Sequence, residues 1–154
     1  MLQSFLLWLL PYVMLMVIQL ALERQDDCEK RGRALSNYEL AIAEAVGVHY
    51  PKKVRLLFVD LISPPRRFIL RTLAKVIGMD LSKAEAITFG HGITMRKDAF
   101  SLAILAHELR HVYQYEQLRM EPFLESYLRD VITHGYAASW PEVDAQAFAA
   151  KAMQ

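Results

Sequence analysis

The chain is short of cysteine, of charge at its amino terminus and of any net charge, and each shortage excludes something. One cysteine, Cys28, rules out an internal disulfide framework and a zinc ribbon, which need at least a pair and a foursome of thiols. A lone thiol fits a reducing compartment. Eighteen basic against 17 acidic residues give no electrostatic case for nucleic acid or another strongly charged partner. No internal repeat or low-complexity tract is present, which excludes a repeat array. What remains, 154 residues with 54% hydrophobic content, supports one domain with a real core and one appendage.

The appendage lies at the start. No charged side chain precedes Glu23, and residues 5–22 are almost continuously apolar. As a helix this run reaches about 27 Å, enough to cross a bilayer core. A signal peptide should open on positive charge and end at a small-residue cleavage site; Met1 to Ser4 carries no charge and Gln19 to Leu22 is a poor site. A soluble helix this apolar would have to be enclosed on all sides. Pro11 is tolerable in a membrane helix. The expectation is a membrane anchor over 1–22, a charged linker over 23–36 containing Gly32, and a folded domain over 37–154. Arg24, Lys30, Arg31 and Arg33 follow the apolar run and nothing basic precedes it. The positive-inside bias then puts the domain on the cytoplasmic side of a bacterial inner membrane.

The most informative residues are His107-Glu-Leu-Arg-His111, the H-E-x-x-H pattern of zinc hydrolases. On a helix, His107 and His111 stand one turn apart on one face, so both imidazoles can reach one metal ion. Glu108 lies a third of a turn away, placed to take a proton from a water held there. The spacing predicts a helix from Asp98, as N-cap, to Leu118. Leu102, Leu105, Ala106, Leu109, Val112 and Tyr113 form one apolar stripe, and the histidines point away from it. Phe100, Ile104 and Tyr115 flank them, so the helix is expected to be central, with its second face lining a cleft.

Two histidines leave a tetrahedral zinc short of a protein ligand. Downstream donors are Glu121, Glu125, Asp130, His134, Glu142 and Asp144. Trp140-Pro141-Glu142 opens a final helix, with Pro141 in its first turn. A carboxylate on a second helix can meet the histidines across a cleft, which favours Glu142, with Asp144 on another face as the alternative.

His107-Glu-Leu-Arg-His111-Val-Tyr-Gln114, preceded by Thr88-Phe-Gly90-His-Gly-Ile93 and followed by Gly135-Tyr136 and Pro141-Glu142-Val-Asp-Ala145, resembles the minimal gluzincin metallopeptidases. It is especially similar to the bacterial peptidase domain associated with extracellular contractile injection systems. The resemblance covers roughly Val54 to Phe148. It implies an α+β, mainly helical zincin-like domain with a small sheet beside the central helix. It also implies zinc on His107, His111 and Glu142, and Glu108 as general base. The chain departs from the pattern at Gln146, where many gluzincins carry an aspartate that orients a zinc histidine.

Elsewhere the patterning predicts helices over 38–46, 66–77 and 121–130, a strand over 54–60, and a long strand or tight hairpin over 86–95 around Gly90 and Gly92. Arg66, Arg67, Arg71 and Lys75 read as a solvated helix face rather than a lipid-binding one. The strand before the metal helix is a candidate edge for pairing with an extended peptide. Tyr136 and His134 are candidate donors to a carbonyl oxyanion, or else packing residues. The expected function is a membrane-attached zinc metallopeptidase acting on a peptide or protein. The alternative is a catalytically silent, zinc-stabilised assembly module with a peptidase-like fold.

Overall fold

A computed structural model describes residues 1–154. The fold is α+β and mainly helical: six helices and a small four-stranded mixed sheet, opened by an apolar helix. The elements are α1 (Leu2–Arg31), β1 (Arg33–Ala34), α2 (Asn37–Ala45), β2 (Arg55–Val59), α3 (Phe68–Val76), β3 (Ala86–Phe89), β4 (Gly92–Arg96), α4 (Leu102–Leu118), α5 (Met120–His134) and α6 (Trp140–Ala152). Sheet order is β1-β2-β4-β3; β2 and β4 run parallel and the other pairs antiparallel. The predicted hairpin is therefore β3–β4, turning at Gly90 and His91, and β3 is the sheet edge.

The expected anchor and the first part of the expected linker, to Arg31, are one helix, and the rest of the linker holds the cap Gly32 and strand β1. Charged residues after Leu22 continue α1 for more than two turns, because Lys30 pairs with Asp26 (2.6 Å) and Arg31 with Asp27 (2.9 Å) at helical spacing. Packing holds the same stretch. Cys28 is buried with its Sγ 3.3 Å from Thr94 Oγ1. A Cβ on Gly92 would stand 2.9 Å from Cys28 Cβ, so the glycine is what lets α1 cross β4 so closely. At the other end Gln3 donates to the Thr133 carbonyl of α5 (3.3 Å), and Arg24 donates to that of Ser63 (2.7 Å). Thus α1 lies against the domain along its length. Leu6, Leu10, Val13 and Met14 are buried, while Leu2, Phe5, Trp8, Tyr12 and Leu15 remain exposed.

Two apolar cores flank α4. One joins α2, the sheet, α4 and α6 through Leu56, Ile93, Met95, Leu105, Leu109 and Val112. The other joins α1, α3 and α5 around Phe123, with Leu10, Val13, Phe89 and Tyr115. With packing on both sides, α4 is the central helix that its apolar faces predict. It begins later than expected. Ser101, not Asp98, is its N-cap, its Oγ accepting from the Ile104 N–H (3.1 Å), whereas Asp98 sits in a short 3-10 turn paired with Arg96. Arg119 (φ 68°) turns the chain from α4 into α5. The Trp140 N–H at the start of α6 donates to Asp130 of α5 (2.6 Å), which fixes where the last helix starts.

Candidate metal centre

α4 and α6 bring three donors together. His107 Nε2 and His111 Nε2 face each other at 3.1 Å, and Glu142 Oε2 and Oε1 lie 3.0 and 3.2 Å from them. His111 and Glu142 are buried and His107 is partly so. Zinc bonds of about 2.0–2.1 Å at tetrahedral angles would hold donors about 3.3 Å apart. The two imidazole nitrogens are close to this spacing, Glu142 turns a different oxygen to each of them, and one donor atom from each residue lies within 4.8 Å of the others. One carboxylate and two imidazoles are also the mixed nitrogen and oxygen set that zinc accepts with a coordination position left over.

The orientation of His111 is fixed from behind. Gln114 Nε2 donates to the Pro141 carbonyl (3.0 Å) and to Asp144 Oδ2 (2.8 Å), which leaves Gln114 Oε1 to accept from His111 Nδ1 (2.8 Å). Nε2 of His111 is therefore the nitrogen aimed at Glu142 and His107. Gln114 is thus the side chain that orients His111, whereas Gln146 is exposed. Asp144, the alternative ligand, is instead bound by Arg110 (2.7 and 3.1 Å) and Gln114. Its position on another face of α6 turns it to the helix interface and away from the histidines.

The charges agree with this arrangement. Burial alone would raise Glu142, but hydrogen bonds from His107, His111 and Tyr127 outweigh it and hold the carboxyl well below its ordinary range. Burial would likewise lower His111, yet Glu142 and Glu108 carry the net shift upward. Tyr127 Oη donates to Glu142, and its ring stacks on His111 with centroids 5.9 Å apart. Burial and the neighbouring Tyr136 and Glu142 raise the Tyr127 phenol far above its usual value, so it stays a donor.

Glu108 is buried beside this cluster, one turn from His111 along the cleft, with Oε2 accepting from Thr88 Oγ1 of β3 (2.6 Å). Tyr136 lines the same cleft, and partial burial followed by the charges of Glu142 and Glu108 keeps its phenol protonated. His134 does not come to the site. It ends α5, is exposed, and bonds Asp130 (3.0 Å), because the helix continues one turn beyond its predicted end and carries the imidazole outward. His91 bonds Glu116 (2.9 Å) near the end of α4 and does not line the cleft.

The sequence patterning marks Tyr127 only as part of a predicted helix and assigns Thr88 and Gln114 no separate role. A tyrosine on a buried stripe was the available signal, since its hydroxyl must find a partner. The cleft opens into a cavity of about 350 Å³ bounded by α1, α3, β3 and α5. No family model, curated protein or solved structure matches this chain.

Proposed function

We propose that the protein is a zinc metallopeptidase of minimal, zincin-like build. The observation that carries this reading is the convergence of donor atoms from His107, His111 and Glu142 within 4.8 Å of one another, beside a buried glutamate that is not part of the donor set. A purely structural zinc site prefers four protein ligands and has no use for an adjacent base. Zinc held by these residues supplies Lewis acidity toward a water and a scissile carbonyl.

The chain's own groups divide the remaining work. Glu108, steadied by Thr88 at one oxygen, accepts the proton of the attacking water and returns it to the leaving amine. Tyr136 donates to the oxygen on which negative charge builds. Tyr127 holds Glu142 and so keeps the third donor in place. The free edge of β3 offers backbone groups to an extended peptide. The outward stripe of α1, with Trp8 and Tyr12 among its aliphatic residues, supports attachment to a membrane, with the domain on the side of the basic residues that follow.

The decisive experiment is Glu108→Gln in the full chain. The amide cannot act as a base, so peptide cleavage should fall by a factor of about 10² to 10⁴, while zinc measured by atomic absorption stays near one per chain. Equal cleavage by both proteins rejects the mechanism. A zinc-loaded wild type that cleaves nothing across a broad peptide library returns the protein to the assembly-module reading.

A further inference from the structure

Helix α1 leaves one side uncovered. Phe5, Trp8, Tyr12 and Leu15 follow one another at helical spacing and are 53% to 68% exposed. The same face continues through Leu22 and turns charged at Glu23 and Asp26, where the apolar stripe ends. Beside it runs an edge of another character. From Leu61 to Met79 the chain carries Arg66, Arg67, Arg71 and Lys75 and no acidic residue. Arg67 Nη2 donates to Gln19 Oε1 on the exposed face of α1 (3.4 Å). The Arg71 guanidinium lies over the ring of Phe68, itself 73% exposed. Arg24 of α1 holds the segment that leads into α3, donating to the carbonyls of Ser63 and Pro64. The sequence alone reads these basic residues as a solvated face; their place beside the α1 stripe gives that face an apolar neighbour.

Resting on the membrane-attachment reading and not on the peptidase one, we propose that the protein lies flat on an anionic lipid surface. In this seat α1 runs parallel to the bilayer plane and does not span it, and the basic edge of α3 meets the headgroups. A span over residues 5–22 would have to carry its flanks into hydrocarbon. Gln3 ties α5 to the start of α1, and α5 exposes Glu125 and Arg129; the irregular segment before α3 is tied to Arg24. Neither charged side chains nor lipid-facing irregular backbone belongs there. Freeing α1 from the domain would instead uncover Leu6, Leu10, Val13 and Met14 and open the core around Phe123. A helix buried on one side and apolar on the other avoids both costs by sinking only about 5–10 Å into the interface. Trp8 and Tyr12 suit that depth, because amphipathic rings settle at headgroup level. A second copy of the chain would also cover the stripe, yet its own margin is equally basic and would leave the four cations without an anion. Anionic lipid answers both the stripe and the margin.

The test uses the full chain and first asks on which side of the membrane each end lies. Ser4→Cys and Lys151→Cys, each made with Cys28→Ser, are treated in bacterial spheroplasts with a maleimide that cannot cross a bilayer. A flat seat puts both positions on one side, so both label in intact spheroplasts or both label only after lysis. Labelling of one alone in intact spheroplasts means a span; it overturns the inference and leaves attachment standing. Cosedimentation of the purified chain then compares vesicles of phosphatidylcholine alone with vesicles that also contain phosphatidylglycerol. The mixed vesicles should bind at least about tenfold more tightly, since each basic residue near an anionic surface is worth about fivefold. Arg66→Gln, Arg67→Gln and Arg71→Gln together should remove most of that preference, and so should high salt. Trp8→Glu with Leu15→Glu should weaken binding to both vesicle types by at least about tenfold. These four positions of α1 and α3 that are exposed, together with Arg71, leave the circular dichroism unchanged when substituted, which separates loss of contact from loss of fold. Equal binding to the two vesicle types, or a preference that survives the arginine substitutions, overturns the inference. So does a dimer that Trp8→Glu dissociates while no lipid is bound. A chain that binds neither vesicle type sinks attachment and the flat seat together and leaves the peptidase reading untouched.

Discussion

Helices α4 and α6 meet through two charged clusters, and the clusters differ in kind. In one, Arg110 is fully spoken for. Its Nε and Nη2 donate to Asp144, its Nη1 donates to the Val46 carbonyl (2.7 Å), and its guanidinium lies between the rings of Tyr113 and Phe148. Each of its three nitrogens has an acceptor, and the group pins helix to helix. In the other, His107, His111 and Glu142 aim lone pairs at one another and at a shared point, with a tyrosine and a glutamine bracing them. The first cluster is complete as it stands, and the second has a donor set that could hold a cation. Reading charge alone makes Glu142 and Asp144 look interchangeable; reading what each faces separates them.

The sharpest way to break this contrast is to delete a donor. His107→Ala or His111→Ala should abolish stoichiometric zinc, whereas Asp144→Ala should keep it; metal analysis of the purified variants decides, and retention by either histidine variant would reassign the site. Next in size is Arg110→Met, which leaves Asp144 without its main partner. Breaking a buried pair costs about 3–5 kcal/mol, and the partial exposure of Asp144 puts this case at the lower end, near 3 kcal/mol. Denaturant unfolding should show that loss with zinc still bound, and a neutral result would make the pair ornamental.

Much of this was legible in the sequence because it depends on spacing along one element. The pairing of His107 with His111, the placement of Glu108 beside them, the hairpin around Gly90 and the start of α6 near Pro141 all follow from local rules. What was hidden depends on where other elements land. The charged residues after Leu22 looked like a linker, and only the contact of Cys28 with Thr94 and the close pass over Gly92 explain why they stay helical. Asp144 could be told from Glu142 only once Arg110 was seen to claim it. His134 was drawn into the site by its nearness in sequence to Glu142, and one further turn of α5 takes it to the surface.

Smaller effects sharpen the comparison. Gln114→Ala frees His111 to turn and should weaken zinc by about 10- to 100-fold, the usual range for removing the partner of a metal histidine; chelator competition measures it, and an unchanged affinity would deny Gln114 its orienting role. Tyr127→Phe should act in the same direction through Glu142. The smallest effect is that of pH. Zinc must displace the proton that Glu142 and Glu108 favour on His111, whose value lies above its ordinary 6.5. Apparent affinity should therefore begin to fall while pH is still above that value, and decline by up to about tenfold per pH unit per displaced proton. A flat profile between about pH 8 and about pH 6 would contradict the raised His111.

The way α1 is used has a consequence for how the chain is made. It is made before every element it packs on, and Gln3 meets a partner 130 residues later, on α5, while the inner face of α1 closes against the sheet, α3 and α5. Glu142 arrives later still, on the final helix. Until α5 has been made, part of this long apolar helix lacks the protein surface that covers it, and such a segment invites aggregation unless something shields it. A nearby bilayer would supply that shelter during synthesis, and the same timing means that no truncated chain ending before α6 can assemble a complete metal centre.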